Sequence, residues 1–183
     1  EECGGKGLMT VVMASDAQTA KLTSAPEVAM VSFTGSARVG WLIREQAPRK
    51  PVTLELGGNA WALGAGDVPD ADLAGIARKC AVAGYGYAGQ SCISVQNVAC
   101  DAALWPRFRE ALAEATKATA YGDPASDAVV CGPVINGVAA QRIAAEVAKA
   151  GGKRTVTSEK LVGDGGSPLL LKPTYVEEPE LGS

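Results

Sequence analysis

Apolar positions fall in short runs that alternate with longer stretches of helical spacing. Leu8 to Met13 (LMTVVM) and Pro26 to Ser32 (PEVAMVS) read as strands, as do Val52 to Leu56 and Ala60 to Leu63. Between them Phe33 to Ala47 switches to a 3.6-residue period, with Val39, Leu42 and Ile43 on one face. Asp70 is expected to cap a long helix carrying Leu73, Ile76 and Val82, which ends in the glycine-rich stretch Gly84 to Gly89. Ser94 to Cys100 alternates like a strand. Leu104 to Thr116 is an amphipathic helix with Phe108, Leu112 and Ala115 inward, and Val138 to Ala150 is another, stopped by Gly151 and Gly152. Arg154 to Ser158 and Leu169 to Val176 give the last strands, joined through a GDGGS turn. This rhythm predicts an α/β fold, a largely parallel sheet with flanking helices.

Composition narrows the function classes. The 183 residues carry a net charge of −3 with both signs scattered, so the basic stripe of a nucleic-acid-binding protein is absent. The apolar runs are too short to span a bilayer. The first residues, EECGGKG, lack the pattern of a secretory signal, and a chain opening without Met is expected to be a processed or excised piece. The five cysteines, Cys3, Cys80, Cys92, Cys100 and Cys131, form no CxxC pair, so a reducing, cytoplasmic setting is expected. With no histidine, a zinc site would need scattered thiols and carboxylates, and Ser-His or Cys-His catalysis, including a cysteine hydrolase, is removed.

Three segments carry candidate chemistry. In FTGSARVG, a strand turns through Gly35 and Ser36 into a helix whose first amides could face a phosphate, although plain capping by Ser36 explains the same pattern. In LELGG, Glu55 between two leucines would gain a raised pKa if buried, which suits a general base; the alternative is an edge-strand carboxylate facing water before a glycine turn. In GQSCIS, Cys92 lies on a turn where a thiol could be exposed and reactive, whereas Cys3, Cys80, Cys100 and Cys131 read as small buried apolar residues.

FTGS, LELGG and GQSC in this order resemble the signature of the aldehyde dehydrogenase superfamily, hydrolytic and NAD(P)-dependent. DADL at Asp70, YGDP at Tyr121, GPVI at Gly132 and KPT at Lys172 extend the resemblance over nearly the whole chain. It implies that Cys92 is the nucleophile, that Glu55 activates water, that Gly35 and Ser36 face the cofactor pyrophosphate, and that Leu56 and Gly57 lie near the nicotinamide. NAD or NADP would be the cofactor and a small aldehyde the substrate; GQSCISVQNV is similar to branches acting on small hydroxyaldehydes and semialdehydes. Residues 1–56 would end the cofactor-binding domain and 57–183 begin the catalytic domain. The parent would be a homo-oligomer. The family's oxyanion-hole asparagine, ribose-binding lysine and Glu-Phe-Gly-Pro region are not found in these residues. The isolated chain is therefore expected to be incomplete and inactive, because losing one oxyanion donor alone costs about 10²–10³-fold. An acylating relative, resolved by coenzyme A or phosphate, and a non-catalytic truncated domain remain as alternatives.

Overall fold

The structure, a computed structural model, describes residue 4 and residues 7–178. It divides into two compact units, Glu1–Gly57 and Gly58–Ser183.

The first unit opens with helix α1 (Asp16–Ser24), which the polar stretch around it did not announce. Ser15 and Gln18 start it as a capping box, with the Ser15 amide donating to Gln18 Oε1 at 2.9 Å. At its other end the Lys50 ammonium donates to the carbonyls of Thr23 and Ala25, answering acceptors that a helix end leaves free. Strand β1 (Val31–Gly35), helix α2 (Ala37–Gln46) and strand β2 (Val52–Leu56) then form a β–α–β crossover, with β1 parallel to β2. Alternation on β2 puts Leu54 and Leu56 beneath α2, where Gly40 lets the helix approach closely: a Cβ there would lie 2.5 Å from Leu56 Cδ2. Ile43 and Ala47 are buried, but Leu42 is exposed, so the inward stripe of α2 is narrower than its periodicity predicts.

The second unit repeats the crossover. Strands β3 (Ala60–Gly64) and β4 (Val95–Cys100) pair in parallel, joined through helix α3 (Asp70–Tyr85) and a 3-10 turn, Gly86–Gly89. Helix α4 (Trp105–Lys117) packs along α3, and Leu73, Ala77, Leu104, Phe108 and Leu112 make the core between them. Strand β5 (Tyr121–Gly122), helix α5 (Gly137–Lys149), and strands β6 (Arg154–Thr157), β7 (Leu161–Val162) and β8 (Thr174–Glu177) complete it. β5 pairs with β7 in parallel and β6 with β8 antiparallel. The fold is thus α/β with mostly parallel pairings, though the described strands stand as four two-stranded sheets.

Several sequence expectations need correction. Leu8 to Met13 is not a strand: its side chains are exposed and no described strand pairs with it, so the apolar run lacks the partner that strand formation requires. The strand expected from Pro26 begins only at Val31. Leu169 to Leu171 are likewise outside the last strand, which starts at Thr174. Asp70 is the first helical residue rather than the cap; Pro69 occupies the cap position, and Asp70 forms an ion pair with Arg107.

Candidate active site

In the first unit, the parallel register places Gly35 opposite Leu56 and Thr34 opposite Glu55. Gly35, Ser36, Glu55, Leu56 and Gly57 therefore gather at the carboxyl ends of two parallel strands, where the α2 N-terminus also lies; ligands of open α/β sheets bind at such ends. Ser36 caps α2, its hydroxyl oxygen accepting from the Val39 amide at 3.4 Å. The capping reading is thus realised, and it leaves the hydroxyl proton free to donate. The amides of Ala37 and Arg38, in the first turn, have no intrahelical acceptor.

Glu55 is exposed among the described residues. The pleat explains this: Leu54 and Leu56 take the α2 side of β2, which turns Glu55 to the opposite face. Of the two readings of LELGG, the carboxylate facing water is the one found.

Cys92 belongs to the second unit and is exposed on a tight turn, closed by the Ser94 amide donating to the Ser91 carbonyl at 3.1 Å. The turn is fixed from two sides. Ser94, 2% exposed, donates its hydroxyl to the Gly84 carbonyl at 2.9 Å, tying the turn to the end of α3. Gly58 faces the Cys92 backbone so closely that a Cβ would lie 2.5 Å from the Cys92 carbonyl oxygen. Ahead of the thiol, Tyr87 and Ala88 both take left-handed φ, 54° and 55°, and Gly89 follows at 71°. Gln90 donates its side-chain amide to the Tyr87 carbonyl and accepts from the Ile135 amide, each at 2.9 Å.

The other described thiols differ. Cys131 is buried, and that burial pushes its pKa up to about 11. Desolvation also raises Cys80 and Cys100, the latter aided by the neighbouring Asp101 carboxylate. Cys3 lies outside the described residues. Among the described residues no group of three metal-ligating side chains converges, and no helix is long and apolar enough to cross a membrane.

Sequence reading missed Gly58, Ser94 and Gln90 as supports of the thiol turn. Gly58 and Gln90 stand within LELGG and GQSC, but Gln90 meets a segment 45 residues away, which no local period signals.

The second unit thus presents an exposed thiol on a braced turn, and the first a helix N-terminus beside the ends of two parallel strands. The sequence profile of the aldehyde dehydrogenase family matches residues 4–180, and the chain belongs to that family. It is similar to vanillin dehydrogenase of Pseudomonas fluorescens, 35% identical over 181 residues, covering 94% of this chain and 36% of that protein. Among solved structures it resembles glyceraldehyde-3-phosphate dehydrogenase GapN of Methanocaldococcus jannaschii, complexed with NADP. That match is 29% identical with a TM-score of 0.71, covering 85% of this chain and 33% of the other. An NAD-dependent aldehyde dehydrogenase from Sinorhizobium meliloti is 33% identical, TM-score 0.69, covering 74% of this chain and 27% of the other. The chain thus spans about a third of the length of these relatives.

Proposed function

We propose that the protein carrying this chain oxidises a small aldehyde to its carboxylic acid with NAD or NADP, Cys92 acting as nucleophile and Glu55 as the base that activates water. The observation that carries the reading is the contrast among thiols: Cys92 is exposed on a turn braced by Ser94 and Gly58, whereas Cys131 is buried and Cys80 and Cys100 are half-buried and hindered from ionising.

The residues present fit a dinucleotide. Gly35 bears no side chain beside the α2 N-terminus, and the Ser36 hydroxyl and the amides of Ala37 and Arg38 can donate to its phosphates. Leu56 and Gly57, at the end of β2, lie on the nicotinamide side in this reading; a Cβ at Gly57 would meet nothing within 4 Å. The chemistry NAD(P) supplies when bound is acceptance of the hydride.

The chain's own groups do the rest. Cys92 Sγ forms a bond to the aldehyde carbon, the thiol proton ending on the former carbonyl oxygen to give a thiohemiacetal; loss of hydride from its carbon and of the hydroxyl proton to water leaves a thioester on Cys92. Glu55 takes a proton from water, whose oxygen attacks the thioester carbon; the C–S bond breaks, releasing the acid, and the proton held by Glu55 returns to the leaving sulfur to regenerate the thiol and the carboxylate. Residues 1–56 then belong to the cofactor-binding part and 57–183 to the catalytic part. Because the chain spans about a third of its relatives' length, turnover is assigned to the full-length protein, and the 183 residues alone are expected to be inactive. A cytoplasmic setting keeps Cys92 reduced, and a homo-oligomeric parent follows from the family resemblance.

The test is a pair of substitutions in the full-length protein, assayed with vanillin and glyceraldehyde 3-phosphate. Cys92→Ser should abolish NAD(P)H formation. Glu55→Gln should keep the first turnover but slow the steady state by about 10²–10⁴-fold. Wild-type steady-state rates in Glu55→Gln would refute the water-activating role; coenzyme A or phosphate dependence of the wild-type enzyme would favour the acylating alternative.

A further inference from the structure

We propose that Gln90 is the positioning residue of the thiol turn, a latch that holds Cys92 in place by bridging the strained bend before it to the Ile135 segment. The inference rests on Cys92 being the nucleophile, and it goes beyond that assignment by naming what keeps the sulfur aimed.

The bend from Gly86 to Gly89 is poorly held by packing. None of its residues is buried. Gly86, Ala88 and Gly89 offer almost no side chain, and Tyr87 is 86% exposed. A groove of about 340 Å³ undercuts the same stretch, lined by Gly84, Ala88 and Gly89 on one side and Val134, Ile143 and Val147 on another. The bend is also conformationally unfavourable, because two consecutive non-glycine residues, Tyr87 and Ala88, occupy the left-handed region. Such a stretch relaxes unless something overdetermines it.

Gln90 supplies that constraint with both ends of one carboxamide. Its Nε2 donates to the carbonyl of Tyr87, at the first left-handed residue, and its Oε1 accepts from the backbone amide of Ile135. Only a side chain with a donor and an acceptor at this length satisfies both partners. Ser94 and Gly58 brace the turn after the thiol and at the thiol's own carbonyl; Gln90 braces it before. Sulfur placement matters steeply, since a displacement of about 1 Å in a reacting group costs on the order of 10²-fold in rate.

The substitutions Gln90→Ala and Gln90→Glu separate the two halves of the latch. A Glu side chain still accepts from the Ile135 amide but cannot donate to the Tyr87 carbonyl, which keeps only the bond from the backbone amide of residue 90. Hydrogen exchange measured on the full-length protein should show the Ile135 amide exchanging at least about tenfold faster in Gln90→Ala and near the wild-type rate in Gln90→Glu, with the melting temperature preserved. In single-turnover NAD(P)H formation with vanillin or glyceraldehyde 3-phosphate, Gln90→Ala should be about 10–100-fold slower at unchanged cofactor KM, with Gln90→Glu between it and wild type. Unchanged Ile135 exchange in Gln90→Ala overturns the latch, as does a wild-type single-turnover rate. NAD(P)H formation that persists in Cys92→Ser overturns instead the nucleophile assignment. If neither aldehyde is oxidised, the exchange measurement decides the latch by itself.

Discussion

Adding one methyl group at Gly58 should move Cys92, the proposed nucleophile, without touching its side chain. A Cβ there would stand 2.5 Å from the Cys92 carbonyl oxygen, whereas ordinary van der Waals contact begins near 3.4 Å. Relief requires a separation of about 0.9 Å, and the obstacle is backbone, not the end of a flexible side chain. Ser94 pins the following residue of the turn through the Gly84 carbonyl, so the turn cannot swing away freely. The displacement is therefore shared between the start of β3 and the thiol turn. Overpacking of this kind costs about 1–3 kcal/mol. The sulfur shift should lower the Cys92-dependent first turnover by on the order of 10²-fold. The assay compares Gly58→Ala with Gly57→Ala in the full-length protein, by thermal melting and by single-turnover NAD(P)H formation. At Gly57 the added methyl meets nothing within 4 Å, so that variant should melt normally and differ, if at all, in cofactor affinity. A Gly58→Ala protein with wild-type melting and a wild-type first turnover would refute the steric reasoning.

Two further predictions concern the second unit. Glu177, whose side chain is 2% exposed, accepts from Arg109 Nε at 2.7 Å and from the Tyr175 hydroxyl at 3.2 Å, with Arg154 3.4 Å away. Glu177→Ala should destabilise by about 1–3 kcal/mol in chemical denaturation, below the 3–5 of a fully buried pair because Arg109 and Arg154 can turn to water; no measurable loss would mean the network contributes nothing. Alkaline pH should also unfold the chain. Burial pushes Cys131 up to about 11 and Tyr85 up to about 12, and it raises Tyr175 further, with the Glu177 carboxylate adding to the effect. The folded state keeps these protons when the unfolded chain has already lost them, so the stability they contribute is complete below about pH 9 and disappears as pH rises towards 12. Melting temperatures should hold level to about pH 9 and then fall; a level curve through pH 11 would contradict this.

Much of the fold was legible because its strands and helices carry their own periodicity, as in Val52 to Leu56 and in the helix bearing Phe108 and Leu112. What escaped notice has physical reasons. Helix α1 buries only Thr23, so no apolar stripe marks it, and its one clear sign was the Ser15–Gln18 capping box. Leu8 to Met13 misled in the other direction, since apolar residues make a strand only where a neighbour accepts their hydrogen bonds. β5 and β7, two residues each, pair across 40 positions, and β5 is bridged by Cys131 as well. At the site, the positions of Cys92, Glu55, Gly35 and Ser36 came from motif order. The exposure of Glu55 was decided by which face of β2 α2 covers, and the bracing of Cys92 by contacts from Gly58 and from Ile135 through Gln90.

The short pairing of β5 with β7 has a consequence for how variation in this chain is interpreted. Gly122 has φ 148°, and a Cβ there would run into the Val162 carbonyl. Backbone crowding and torsion both forbid every other amino acid. In a library randomised at each codon, Gly122 should survive only as glycine, although it belongs to no reacting group. Intolerance to substitution at this position is therefore a record of two strands needing to touch, and a map of function built from intolerance alone would mistake it for chemistry.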